Sequence, residues 1–126
     1  MSSPAARSTK HLRNFGFIVC RLEQTLHMPG RPWGNKKDAF GFGDLLAAHP
    51  TGTSRKPHWI NIKSLPRIAL VQVTSGSNHD ARKNKILAEP LAQKWKDADG
   101  MILLHSWAKR GPRGKRKVWT LREEIL

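Results

Sequence analysis

The sequence predicts an α/β fold with a central mixed sheet, and three observations predict it. Apolar, β-branched runs recur at 17–22, 39–48, 67–74, 101–107 and 118–121, with turn residues between them. Helix-compatible, basic segments stand before the first run and between the third and fourth. A length of 126 residues suits one modest core, so a single domain over 1–126 with a basic N-terminal segment at 1–14 is expected. The element order is helix, three strands, helix, two strands.

Residues 5–14 carry Lys10 and Arg13 and no acid, and read as a short helix ended by Gly16. Phe17–Leu22 reads as the first strand. Thr25–Lys37, with Pro29, Gly30, Pro32, Gly34 and Asn35, reads as a loop. Ala39–Ala48 (AFGFGDLLAA) is the second predicted strand. Residues 49–66 hold Pro50, Pro57 and Pro66 around a short WINI run and read as an insertion or extended arm.

Arg67–Thr74 (RIALVQVT) is the clearest strand in the chain. Ser75-Gly76-Ser77-Asn78 forms a turn, and Asp80 follows Ser77 at capping-box spacing. His79 to about Asp97 reads as helix, with Leu87, Leu91 and Trp95 as its apolar stripe toward the sheet, and Pro90 is expected to interrupt or kink it. Met101–Trp107 and Val118–Leu121 are the last strands, joined by KRGPRGK into a C-terminal hairpin where Trp107 and Trp119 are expected to face each other.

Charge narrows the partner. Lys and Arg total 23 against 9 Asp and Glu, a net charge of +14, and a polyanion is the usual partner of such a surface. Cys20 is the sole cysteine, which excludes a disulfide framework and a Cys-based zinc site. The six histidines form no HExxH pattern, and His79 at a helix start is placed to touch a phosphate. No run is long enough for a spanning helix, and the N-terminus lacks the apolar stretch of a signal peptide. The expectation is a cytoplasmic protein that binds no membrane.

Alternation places Asp44 on the strand face of Phe42 and Leu46, where a carboxylate needs a cation or a donor. It reads either as a metal ligand or as a strand-end carboxylate that is solvated or bonded to turn amides. In RIALVQVT, Gln72 and Thr74 share a face with Ile68 and Leu70, so Gln72 is a polar group inside a buried strand. If the two strands pair, Asp44 and Gln72 converge on one hard cation; otherwise Gln72 is satisfied by backbone groups. Asn78, Arg82 and Lys85 fall on one helix face, beside a helix N-terminus suited to phosphate.

GFGDLLA, then IALVQVTSGSNHDARKNKIL, then a hydrophobic strand and WAKRGPRGKRKVW, resemble a small phage and bacterial branch of the PD-(D/E)XK nuclease superfamily over residues 15–122. The resemblance implies a restriction-endonuclease-like α-β-β-β-α-β core and a magnesium- or manganese-dependent endonuclease acting on duplex or branched DNA. The motif's first Asp falls on Asp44, its acidic position on Gln72 and its Lys on Thr74, so the variant reads D…QxT. Asp44 and Gln72 are then the metal ligands. Lys85, or else Arg82 or Lys83, replaces the missing lysine, and Glu23 is the early acid. Junction-cutting relatives act on two strands, which implies a homodimer in a bacterial or phage-infected cell.

The KRGPRGKRK segment places six cations in nine residues, Lys109, Arg110, Arg113, Lys115, Arg116 and Lys117. It reads as a prong laid on duplex phosphates, together with Asn78, Arg82 and Lys83 from the helix, or as an edge hairpin kept soluble by charge. Neutral residues at 72 and 74 support a second reading, a nuclease-fold DNA-binding scaffold or regulator that has lost hydrolysis. An RNA-binding or ribosome-associated domain accounts for the charge but not for the buried polar strand face.

Overall fold

The computed structural model describes residues 3–22, 24–27, 34–37, 40, 42–50 and 68–126. Helix α1 (Pro4–Asn14) leads into strand β1 (Ile18–Arg21), followed by β2 (Gln24–His27), β3 (Gly34–Lys37), β4 (Leu45–Ala48) and β5 (Ile68–Ser75). A 3-10 turn (Gly76–Asn78) opens α2 (His79–Leu87), and α3 (Pro90–Asp97), β6 (Met101–Arg110) and β7 (Val118–Ile125) complete the chain. Five strands form a mixed sheet in the order β1-β4-β5-β6-β7, while β2 and β3 pair separately. Within the large sheet only β5 and β6 run parallel, and the α2–α3 crossover joins them.

Local chemistry defines α1 at both ends. Ser3 Oγ accepts from the Ala6 N–H at 3.1 Å and Pro4 opens the first turn. At the other end Gly16 sits at φ 90°, where its N–H reaches the Arg13 carbonyl and the Phe17 N–H reaches the Leu12 carbonyl at 3.1 Å. This is a Schellman stop, and Phe17 packs back with Leu12 as that motif favours.

Strand alternation divides the core into two layers. Leu45, Ala47, Ala69, Val71 and Leu103 pack beneath Leu12 and Phe17 on the α1 side. Leu70, Ile102 and Leu104 pack with Phe42, Ile86 and Ala92 on the side of α2 and α3. Among the described residues no helix is long and apolar enough to cross a membrane.

Several expectations are corrected. Gln24–His27 and Gly34–Lys37, read as loop, form an antiparallel pair in which main-chain bonding outweighs a Gly- and Pro-rich composition. The second strand is shorter than predicted and begins at Leu45. Of the two effects expected of Pro90, interruption holds: the segment is two helices, not one, and Pro90 starts the second, with Glu89 as N-cap accepting from the Leu91 N–H at 3.3 Å. That break resets the helical phase. Leu87 and Leu91 are therefore exposed and Ile86 and Ala92 buried, while Trp95 is half-buried and donates to the Met101 carbonyl at 2.7 Å. The expected capping box is absent, because Ser77 Oγ lies against Ser75 Oγ at 3.3 Å and no side chain caps α2.

Trp107 and Trp119 are not opposite one another: the register pairs Trp107 with Leu121 and Lys109 with Trp119. Residues 51–67, Glu23 and Trp33 lie outside the described residues, so the extended arm, the early acid and the loop tryptophans Trp33 and Trp59 do too.

Candidate functional site

β5 runs on past the start of β4, whose first residue, Leu45, pairs with Val71. Asp44 stands at that fork. Its main chain is held from both sides, the N–H by the Val71 carbonyl at 2.9 Å and the carbonyl by the Leu22 N–H at 3.0 Å. Its Oδ2 accepts from the Val73 N–H at 2.8 Å and from Gln72 Nε2 at 2.8 Å. The carboxylate takes up a strand N–H and reaches a side chain 28 residues away. The donors at Asp44 include a strand amide and a carboxamide.

Gln72 is only 4% exposed, so its amide must be satisfied internally. It points its nitrogen, not its oxygen, at Asp44, with a longer contact of 3.4 Å to the Val73 carbonyl. Thr74 lies one alternation further along the same buried face. The two predicted ligands therefore meet, but as donor and acceptor rather than as two oxygens aimed at an ion.

Contacts made by α2 fix which flank faces this fork. His79 reaches β6, and Lys83 and Asp80 reach Glu124 and Arg122 on β7. At 100° per residue, Arg82 and Lys85 lie on the opposite flank, toward β5 and β4. The sheet order places Asp44, Gln72 and Thr74 under that flank. Lys83, expected to bind DNA or supply the catalytic cation, is paired with Glu124. Asn78 Nδ2 donates to Ser75 Oγ at 3.1 Å, which tightens the turn. Arg110, Arg113, Lys115 and Arg116 are all exposed around the β6–β7 turn, where Gly114 takes φ 82°.

Two buried relays escaped the sequence reading. His79, 1% exposed, bonds Ser106 Oγ through Nδ1 at 2.6 Å and Glu124 Oε1 through Nε2 at 2.9 Å. Its ring is buried, so it does not present itself to a phosphate as expected. On the other sheet face His105 bonds Ser8 Oγ at 2.9 Å and Glu123 Oε2 at 2.7 Å, and Trp107 Nε1 donates to the same Ser8 hydroxyl at 2.8 Å. Hydrogen bonds from Lys83, and then His79, hold the Glu124 carboxyl below its ordinary pKa. Burial lowers the His11 pKa, against the opposing charge of Glu123.

The donor set at the fork limits what ion it suits. Among the described residues no group of three or more His, Cys, Asp and Glu side chains is placed to share a metal ion. Asp44 offers a carboxylate, and rotation of the Gln72 amide would offer a second oxygen by giving up its bonds to Asp44 and Val73. One carboxylate and one amide oxygen fit magnesium, which keeps several waters and takes phosphate oxygens as further ligands. They are a poorer match to zinc, whose protein sites draw mainly on His nitrogen and Cys sulfur with carboxylate oxygen in support. No family model, curated protein or solved structure matches this chain.

Proposed function

We propose that the chain is a magnesium- or manganese-dependent deoxyribonuclease of the PD-(D/E)XK type, with a restriction-endonuclease-like core. One observation carries the reading: Asp44 and Gln72 touch at 2.8 Å at a strand fork, on the sheet face overlooked by Arg82 and Lys85. A carboxylate, a carboxamide and a hydroxyl grouped beside helix cations make a phosphate-handling arrangement. The helix–strand–strand–strand–helix–strand order along the large sheet supports the same reading.

Asp44 and Gln72 would hold the ion, which when bound lowers the pKa of a coordinated water and polarises the phosphate. Asp44 is suited to this because its main chain is bonded on both sides, leaving the carboxylate little freedom. Lys85, with Arg82, steadies charge on the phosphate in place of the lysine that Thr74 replaces. The exposed Arg110, Arg113, Lys115 and Arg116 lie on duplex phosphates and fix the register of the substrate. Two copies acting together would cut both strands.

A second reading, a DNA-binding scaffold without hydrolysis, is favoured by the amide of Gln72, which already satisfies Asp44 without an ion. The deciding experiment incubates the protein with duplex, single-stranded and branched DNA in magnesium, manganese or chelator. The nuclease reading expects metal-dependent cutting that Asp44→Ala abolishes while DNA affinity stays within about twofold. DNA binding without cutting in either metal assigns the scaffold role, and cutting by Asp44→Ala removes the site assignment.

A further inference from the structure

We infer that the sheet face opposite Asp44 carries a second nucleic-acid contact, a basic groove between α1 and β1 that takes one sugar–phosphate strand. The groove is about 570 Å³ and is lined by Lys10, Arg13 and Asn14 of α1 and by Arg21 of β1. A smaller hollow of about 220 Å³ shares Lys10 and Asn14 and continues to Arg7 and Trp107. The track then reaches the base of the cationic hairpin, where Arg7 stacks over the Trp119 ring at 3.7 Å and Lys109 lies 5.4 Å from the same ring.

Charge carries the assignment. Helix α1 contains no acid, and Arg7, Lys10 and Arg13 follow one another at three-residue spacing across its outer side. Among the described residues Arg13 makes only a long contact of 3.5 Å to the Val19 carbonyl. Glu123, at the His11 end, is engaged by His105 at 2.7 Å. A file of cations without interleaved acids repels itself, and a polyanion relieves that repulsion with release of counterions. The stacked Arg7 guanidinium keeps in-plane N–H groups for phosphate while its face rests on the indole.

The outer side of α1 presents Ala6, Lys10, Arg13 and Asn14, which offers no broad apolar surface for lipid insertion. The inference rests on the nucleic-acid reading above, yet concerns a face that, among the described residues, contains none of the candidate catalytic groups.

The test is fluorescence anisotropy in chelator, so that hydrolysis plays no part. A labelled oligothymidylate and a labelled duplex are titrated against wild type, Lys10→Gln/Arg13→Gln/Arg21→Gln and, as comparator, Arg82→Gln/Lys85→Gln. All three groove positions are exposed, and circular dichroism verifies folding. The groove variant is expected to lose about tenfold in affinity for the single strand, with its salt slope reduced by about 2 at ~0.7 per phosphate contact. A loss for the duplex instead assigns the strand to the edge of a double helix, and either loss upholds the groove.

Unchanged affinity and slope for both nucleic acids overturn the inference while leaving the fork reading intact. Failure of wild type to bind either one overturns both. Binding to phosphatidylserine vesicles that the groove variant loses, with nucleic-acid binding unaltered, overturns the inference in favour of a membrane. Groove-dependent binding in chelator, combined with no cutting in the separate magnesium and manganese assay, sinks only the nuclease reading.

Discussion

Replacing Gln72 with glutamate turns the central contact of the fork against itself. The substitution puts a second carboxylate where the Gln72 amide now donates to Asp44 at 2.8 Å, at a position 4% exposed and so little screened. After relaxation to about 4 Å, two like charges at an effective dielectric of ~20 repel by about 4 kcal/mol, and the lost hydrogen bond adds about 1 kcal/mol. Sharing a proton offers an escape. At pH 8 protonating a carboxyl of ordinary pKa costs about 5 kcal/mol, so the repulsion stands; at pH 5 it costs only about 1 kcal/mol.

In chelator at pH 8 the melting temperature should therefore fall by about 15–20 °C, at roughly 4 °C per kcal/mol for a chain of this size, and by much less at pH 5. Millimolar magnesium or manganese should restore most of the loss, because a hard cation between two carboxylates replaces repulsion with ligation. Scanning fluorimetry of wild type and Gln72→Glu, with and without the ions, measures both effects. A variant whose melting temperature is equal in chelator and in metal refutes the idea that this fork suits a divalent cation.

Asp44→Ala should lose about 2–5 kcal/mol in urea denaturation, since the Val73 N–H and the Gln72 amide both lose their acceptor, whereas Asp44→Asn retains an acceptor and should lose less. Equal losses would mean that these bonds contribute little. Neutralising Arg113, Lys115 and Arg116 together should reduce the salt slope of duplex binding by about 2.7, at ~0.9 per phosphate contact, and an unchanged slope takes the hairpin off the DNA. Stability should also decline in two steps on acidification. The lowered His11 pKa makes a contribution that is complete above pH 6.5 and lost as pH falls through the folded value. The lowered Glu124 pKa makes one that is complete above pH 4.5 and lost below it. His11→Gln should remove the upper step and Lys83→Gln should shrink the lower; a flat urea midpoint from pH 8 to 3 counts against both.

What was legible in the sequence was whatever a single local period or stop signal encodes. RIALVQVT and MILLHSW announce buried strands, and Gly16 announces the end of α1, because burial on both faces and a positive φ leave marks on neighbouring residues. Alternation also placed Asp44 and Gln72 on one face. It carried no information on which end of the Gln72 amide would turn inward, since only the partner decides that. Pro90 was ambiguous for a different reason: proline breaks a helix and starts one equally well, and the phase of every later residue depends on which occurs. The Ser8–His105 and Ser106–His79 bonds join residues 97 and 27 positions apart, and no spacing rule links them.

Glu123 and Glu124 are consecutive on β7, yet each is gripped by a histidine on a different side of the sheet. Among the described strands β7 is an outermost one, with none beyond it to index its position. Sliding it by one residue along β6 would carry both carboxylates to the wrong side together and strand two imidazoles in the interior. The ribbon is thus keyed from above and below at a single step, and the cationic tip it supports keeps a constant reach from the body of the molecule.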